Sequence, residues 1–125
     1  VNVGEISKLG AVSLNCPDPH ELAVFYSALL EKEIAFESED FSAIQLDNLW
    51  LSFQRVADFK PSTWPTNETP SLAHLDFSVS NLDSGEAVAL AAGARLAPEQ
   101  PDRDRWRVLL DPAGNPFCVT VLIPD

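Results

Sequence analysis

The chain has 125 residues, 46% of them hydrophobic, enough for one domain with its own core. Its formal net charge of −11 sets the surface against phosphate backbones and anionic lipid, so neither nucleic acid nor membrane is an expected partner. No apolar run approaches the roughly 18 residues of a membrane span and no basic stretch leads into an apolar one, which predicts a soluble, cytoplasmic protein.

In chain order, residues 1–8 carry no period and read as a lead-in. From Leu9 to Cys16 apolar and small polar residues alternate, as in a half-buried strand. Asp18-Pro19-His20-Glu21 then opens a helix: aspartate caps, proline suits the first helical position, and Glu21 stands where a capping-box carboxylate belongs. Leu22, Phe25, Tyr26, Leu29 and Leu30 give that helix one apolar face. Three strand-like runs follow, 33–38, 41–46 and 49–56, separated by Glu39-Asp40 and Asp47-Asn48.

Between 57 and 71 the composition changes. Pro61, Pro65 and Pro70 among polar residues sustain neither helix nor central strand, so this segment reads as a linker. Trp64 within it is expected to pack over the body. A strand over 72–79 then leads into a helix opened by Ser80-Asn81-Leu82-Asp83, rich in alanine and closed by Gly93. Short strands at 94–97, 105–110 and 116–122 complete the chain, the last two joined by the turn Asp111-Pro112-Ala113-Gly114-Asn115.

The second half echoes the first. LAHLDFSVSNLD (72–83) lies on LGAVSLNCPDPH (9–20), setting Ala11 on His74, Leu14 on Phe77 and Asp18 on Asn81. A second echo, LWLSFQRV on NPFCVTV, sets Phe53 on Phe117 and Gln54 on Cys118. Each half is therefore β-α-β-β-β, one supersecondary unit written twice. The two cysteines, Cys16 and Cys118, fall on strands and read as small buried thiols.

This doubled unit, with HLDFSVSNLD entering a helix and a closing DPAGNPFCV hairpin, resembles the glyoxalase/bleomycin resistance protein/dioxygenase family, the vicinal oxygen chelate superfamily. The resemblance runs from Leu9 to Leu122. It implies an α+β fold in which two βαβββ modules form a curved mixed sheet around a cleft, helices outside. The division is a single domain over 9–122: module one 9–56, linker 57–71, module two 72–122. Family members include metal-dependent isomerases, dioxygenases and thiol transferases, and metal-free proteins that sequester drugs, so the family sets the fold more firmly than the function.

Alternation assigns Val12, Leu14, Leu51, Phe53, Leu75, Phe77, Val79, Phe117, Val119 and Val121 to the helix side. The opposite face presents Ala11/Ser13/Asn15, Trp50/Ser52/Gln54, His74/Asp76/Ser78 and Cys118/Thr120, poor packing material and good pocket lining. The family's metal corners fall on Ala11, Gln54, His74 and Cys118. Ala11 has no donor atom, and the carboxylates that magnesium or manganese want are missing at these corners. Zinc is the one ion His74 and Cys118 could take, with Gln54 or water, and the expectation is no metal and no other cofactor.

His74 and Asp76 are candidate acid/base residues, although about 7 Å of strand separates them, beyond a direct bond in most rotamers. Cys118 as nucleophile with His74 as base lacks an orienting third group. Trp50 and Trp106 are expected to offer a flat surface to a planar ligand, which hydrogen-bonds to Gln54, His74 and Asp76. Ser13, Asn15, Ser52 and Cys118 complete the candidate substrate-binding set. Arg103, Arg105 and Arg107 stand out as a receiver for an anion.

The leading expectation is a glyoxalase-like protein that binds a small organic molecule without the family's metal. The alternatives are a lyase, isomerase or dioxygenase of the superfamily using His74 with or without a divalent metal, and a drug-sequestering resistance protein. Relatives of this size imply a homodimer.

Overall fold

Two capped helices fix where each half of the chain turns back on its sheet. The computed structural model describes residues 8–66, 68–70 and 73–123; all but the last residue of the lead-in 1–8, and the expected strand start at Leu72, lie outside them. Strand β1 (Ala11–Cys16) runs into helix α1 (Pro19–Leu30), where the Asp18 carboxylate accepts from the His20 and Glu21 amides at 3.1 and 3.2 Å. Strands β2 (Ile34–Glu37), β3 (Phe41–Gln45) and β4 (Trp50–Arg55) follow.

The second half repeats the order with β5 (Leu75–Ser78), α2 (Leu82–Ala92), β6 (Arg95–Leu96), β7 (Trp106–Leu110) and β8 (Pro116–Thr120). Asn81 caps α2 by accepting from the Ser84 amide at 2.9 Å, and Gly93, at φ 120°, ends it.

The strands form two four-stranded mixed sheets of identical topology, β1-β4-β3-β2 and β5-β8-β7-β6. In each, the first strand runs parallel to the last and the remaining pairs are antiparallel. This is the α+β fold of two βαβββ modules read from the sequence. Among the described residues, no helix is long and apolar enough to cross a membrane.

One core serves both modules. The Tyr26 ring of α1 stacks on Phe53 of β4 at 5.6 Å and meets Phe77 of β5 and Phe117 of β8 at 6.2 and 6.3 Å. Leu22, Ile44, Leu51, Leu109 and Val119 fill the same interior. Burying such rings and aliphatics contributes roughly 1.5–3 kcal/mol apiece. Val121, expected on the helix side, stands beyond the end of β8 and is 42% exposed.

The register corrects the second echo. Ala11 and His74 stand the same distance ahead of the observed helix caps, which aligns Ser13 with Asp76. Ser13 lies opposite Ser52 and Asp76 opposite Cys118. The counterpart of Cys118 in the first module is therefore Ser52, two residues from Gln54.

The turn between β7 and β8 tolerates no side chain at Gly114. Its φ is +87°, and a Cβ there would lie 2.9 Å from the Pro61 Cβ of the linker. Gly114→Ala is expected to lower stability by about 2–3 kcal/mol, from left-handed strain plus overpacking, as read by urea denaturation.

Candidate functional site

The open face of the second sheet carries the candidate site. His74 stands immediately ahead of β5, and Asp76 is on it. Cys118 of β8 lies opposite Asp76, and β7 sets Val108 opposite Cys118 and Trp106 opposite Thr120. Alternation turns these side chains to one face. Trp64, Pro101, Leu122 and Ile123 join them in lining a cleft that holds about 520 Å³, the size of a small organic ligand.

Gln100 fixes one wall. Its amide donates to the Ala97 and Val108 carbonyls at 3.0 and 2.8 Å and accepts from the Val108 amide at 2.9 Å, pinning the chain that presents Pro101.

His74 Nε2 lies 3.3 Å from Asp76 Oδ1, so the strand spacing did not keep the two apart. His74 stands ahead of the regular strand, where the strand spacing does not hold its half-exposed ring away from the carboxylate. The Cys118 thiol is buried beside them, and its pKa is pushed up to about 12, first by burial and then by the Asp76 charge. Cys16, also buried, is pushed up to about 11 by burial and the nearby Asp18 charge.

Both are thus protonated thiols at neutral pH, which weakens a Cys118 nucleophile working with His74. In chelator-treated native protein at pH 8, both should react with a disulfide reagent at least tenfold more slowly than an ordinary thiol of pKa about 8.5. Full reactivity on adding denaturant completes the check; fast native labelling would contradict it.

The other candidates lie elsewhere. Ser13 and Asn15 line a smaller cleft of about 260 Å³ with Lys60 and Ser62, and His74 borders both clefts. Ser52 is buried with its hydroxyl bonded to that of Ser13, while Trp50, 38% exposed, and Gln54 sit on the first sheet. Neither cleft is lined by Trp50, Ser52 or Gln54. The expected Trp50–Trp106 surface is therefore replaced: Trp64 and Trp106 pack on the same cluster of Ala97, Val108 and Cys118. Only its size marked Trp64 in the sequence, since a linker position has no period to place it.

The arginines are already engaged. Arg107 reaches Asp83 at 2.6 Å and Glu86 at 3.4 Å, Arg105 reaches Asp102 at 2.7 Å, and Arg103 lies 4.0 Å from Glu86. None of them lines the cleft, so they do not form the anion receiver read from the sequence.

The family's four metal corners do not fit these residues. In the first module the corners are Ala11, without a donor atom, and, by the corrected register, Ser52, whose hydroxyl is bonded to Ser13. Only His74 and Cys118 of the second module keep donors at corner positions.

No curated protein matches the sequence. Among solved structures, a glyoxalase/bleomycin resistance protein/dioxygenase family enzyme from Burkholderia phytofirmans PsJN is 22% identical, with a TM-score of 0.66 over 90% of this chain and 97% of that one. A glyoxalase-related enzyme from Fulvimarina pelagi is 16% identical, with a TM-score of 0.67 over 92% and 88%. The fosfomycin resistance protein FosX from Listeria monocytogenes, as a mutant complexed with Mn(II) and 1S,2S-dihydroxypropylphosphonic acid, is 18% identical, with a TM-score of 0.70 over 94% and 91%. These likenesses concern the fold. The family model described as a glyoxalase-like domain matches residues 11–120, and the chain belongs to that family.

Proposed function

We propose that the protein binds a planar organic molecule in the cleft of its second module, without the family's four-cornered metal. The observation that carries this reading is that Trp64 and Trp106 line one mostly apolar cleft together with the His74–Asp76 pair. Flat rings favour a flat ligand, and a few polar groups in an apolar lining fix its orientation. Asp76 accepts from a donor on the ligand. With a net charge of −11, the protein favours neutral or cationic ligands over anions.

The test is a thermal-shift screen of planar aromatic compounds against chelator-treated protein, followed by calorimetry on the hits. Saturable one-to-one binding is expected; a screen in which only anions or only metal-loaded protein respond would overturn the reading. The His74–Asp76 pair also supports the enzyme alternative, because two polar groups 3.3 Å apart at a cleft can pass a proton. Product formed from a hit selects the enzyme, and binding without product selects sequestration. The exposed apolar Leu122 and Ile123, which also line the cleft, support a homodimer, which light scattering checks.

A further inference from the structure

We infer that His74, Asp76 and Cys118 together form a zinc site contained within the second module, with a ligand set different from the family's four corners. One donor atom from each lies within 4.8 Å of the other two, among the described residues. Zinc holds imidazole nitrogen and carboxylate oxygen at about 2.0–2.2 Å and thiolate at about 2.3 Å in a tetrahedron, which sets ligand atoms roughly 3.5 Å apart. His74 Nε2 and Asp76 Oδ1 already stand at 3.3 Å, and binding has to draw together donors that lie within 4.8 Å of one another.

The donors select the ion. Nitrogen, oxygen and sulfur in one trio suit a borderline-soft dication, whereas magnesium and calcium require more oxygen than is gathered here. Asp76 and a Cys118 thiolate repel one another across the strand pair, and a dication between them turns that repulsion into ligation. The Cys118 proton leaves to solvent as the sulfur binds.

Asp76 is the residue that makes this a new site. It lies two positions beyond the His74 corner, and its counterpart in the first module, Ser13, is bonded to Ser52 instead. Three protein ligands leave a fourth position open, and all three line the same cleft as Trp64 and Trp106. The inference does not depend on an organic ligand binding there. Ligand binding is measured on chelated protein, so either idea can fail alone.

The test titrates the whole purified chain with zinc against a chromophoric chelator, and with cobalt as a spectroscopic substitute. One equivalent is expected, with tetrahedral cobalt bands in the visible and a thiolate charge-transfer band in the near ultraviolet. Asp76→Asn and His74→Ala, both at half-exposed positions, should weaken zinc by at least tenfold, the scale on which even supporting residues act. Cys118→Ser should abolish the charge-transfer band.

His20→Ala, which removes a surface imidazole paired with Glu37, should leave both readouts unchanged. Each variant's melting temperature is recorded without metal to confirm folding. Weak uptake of several ions, as scattered surface carboxylates would give, overturns the inference. So does one tight equivalent that survives Asp76→Asn, or a cobalt spectrum without the thiolate band.

Discussion

Asp111→Ala should cost the fold about 4 kcal/mol, a large part of the roughly 5–15 kcal/mol that holds a domain together. Asp111 is 1% exposed. One oxygen accepts from the amides of Ala113 and Asn115, both at 2.9 Å, and the other accepts from the Tyr26 hydroxyl at 2.8 Å. This carboxylate shapes the β7–β8 turn and ties it to the ring at the centre of the core. Alanine leaves three donors without their partner, each costing about 1–3 kcal/mol when buried. Tyr26→Phe removes one donor and should cost about 2 kcal/mol.

The pH dependence tests the same group. Burial raises the Asp111 pKa above its ordinary value of 3.8, against the lowering effect of its hydrogen bonds. An acid whose folded pKa is raised contributes stability that is fully present below the unfolded pKa and lost as pH rises through the folded one. Asp111→Asn keeps an acceptor for the two amides and cannot ionise. The stability gap between wild type and Asp111→Asn should therefore narrow as pH rises from about 4 toward 7, in urea melts of both proteins. A widening gap would show that the charged form is the favoured one.

What the sequence disclosed was local. Asp18, Asn81 and Gly93 declare helix ends by their own chemistry, and the DPAGN turn joins β7 and β8 where expected. Alternation assigned the faces of β4 and β8 but not their mutual register. A slip of two residues returns every side chain to its own face, so the period could not separate Ser52 from Gln54 as the partner of Cys118. The candidate site needed more than period. His74 meets Asp76 because it stands ahead of the strand, Trp64 arrives from a segment with no repeat, and the acids that occupy Arg103 and Arg107 come from α2. Each of these contacts joins residues whose relation is set by tertiary packing.

That difference makes the tryptophans decisive for function. If a planar ligand rests between Trp64 and Trp106, replacing either with alanine should weaken it by about thirtyfold, the roughly 2 kcal/mol carried by an aromatic anchor. Because both rings also cover Ala97, Val108 and Cys118, alanine lowers stability as well. Leucine separates the two effects: it keeps an apolar cover over that cluster but removes the flat face. Trp106→Leu should weaken binding about tenfold, the part of the energy belonging to ring stacking. Trp50→Ala, on the first sheet and away from the cleft, should change affinity less than about twofold, within the half kcal/mol usual for a remote surface change. Calorimetry on chelated protein, below the melting temperature of each variant, reads all four. If Trp50→Ala is the damaging change and the other three bind as wild type, the ligand lies on the first sheet, and the cleft beside His74 is not where it binds.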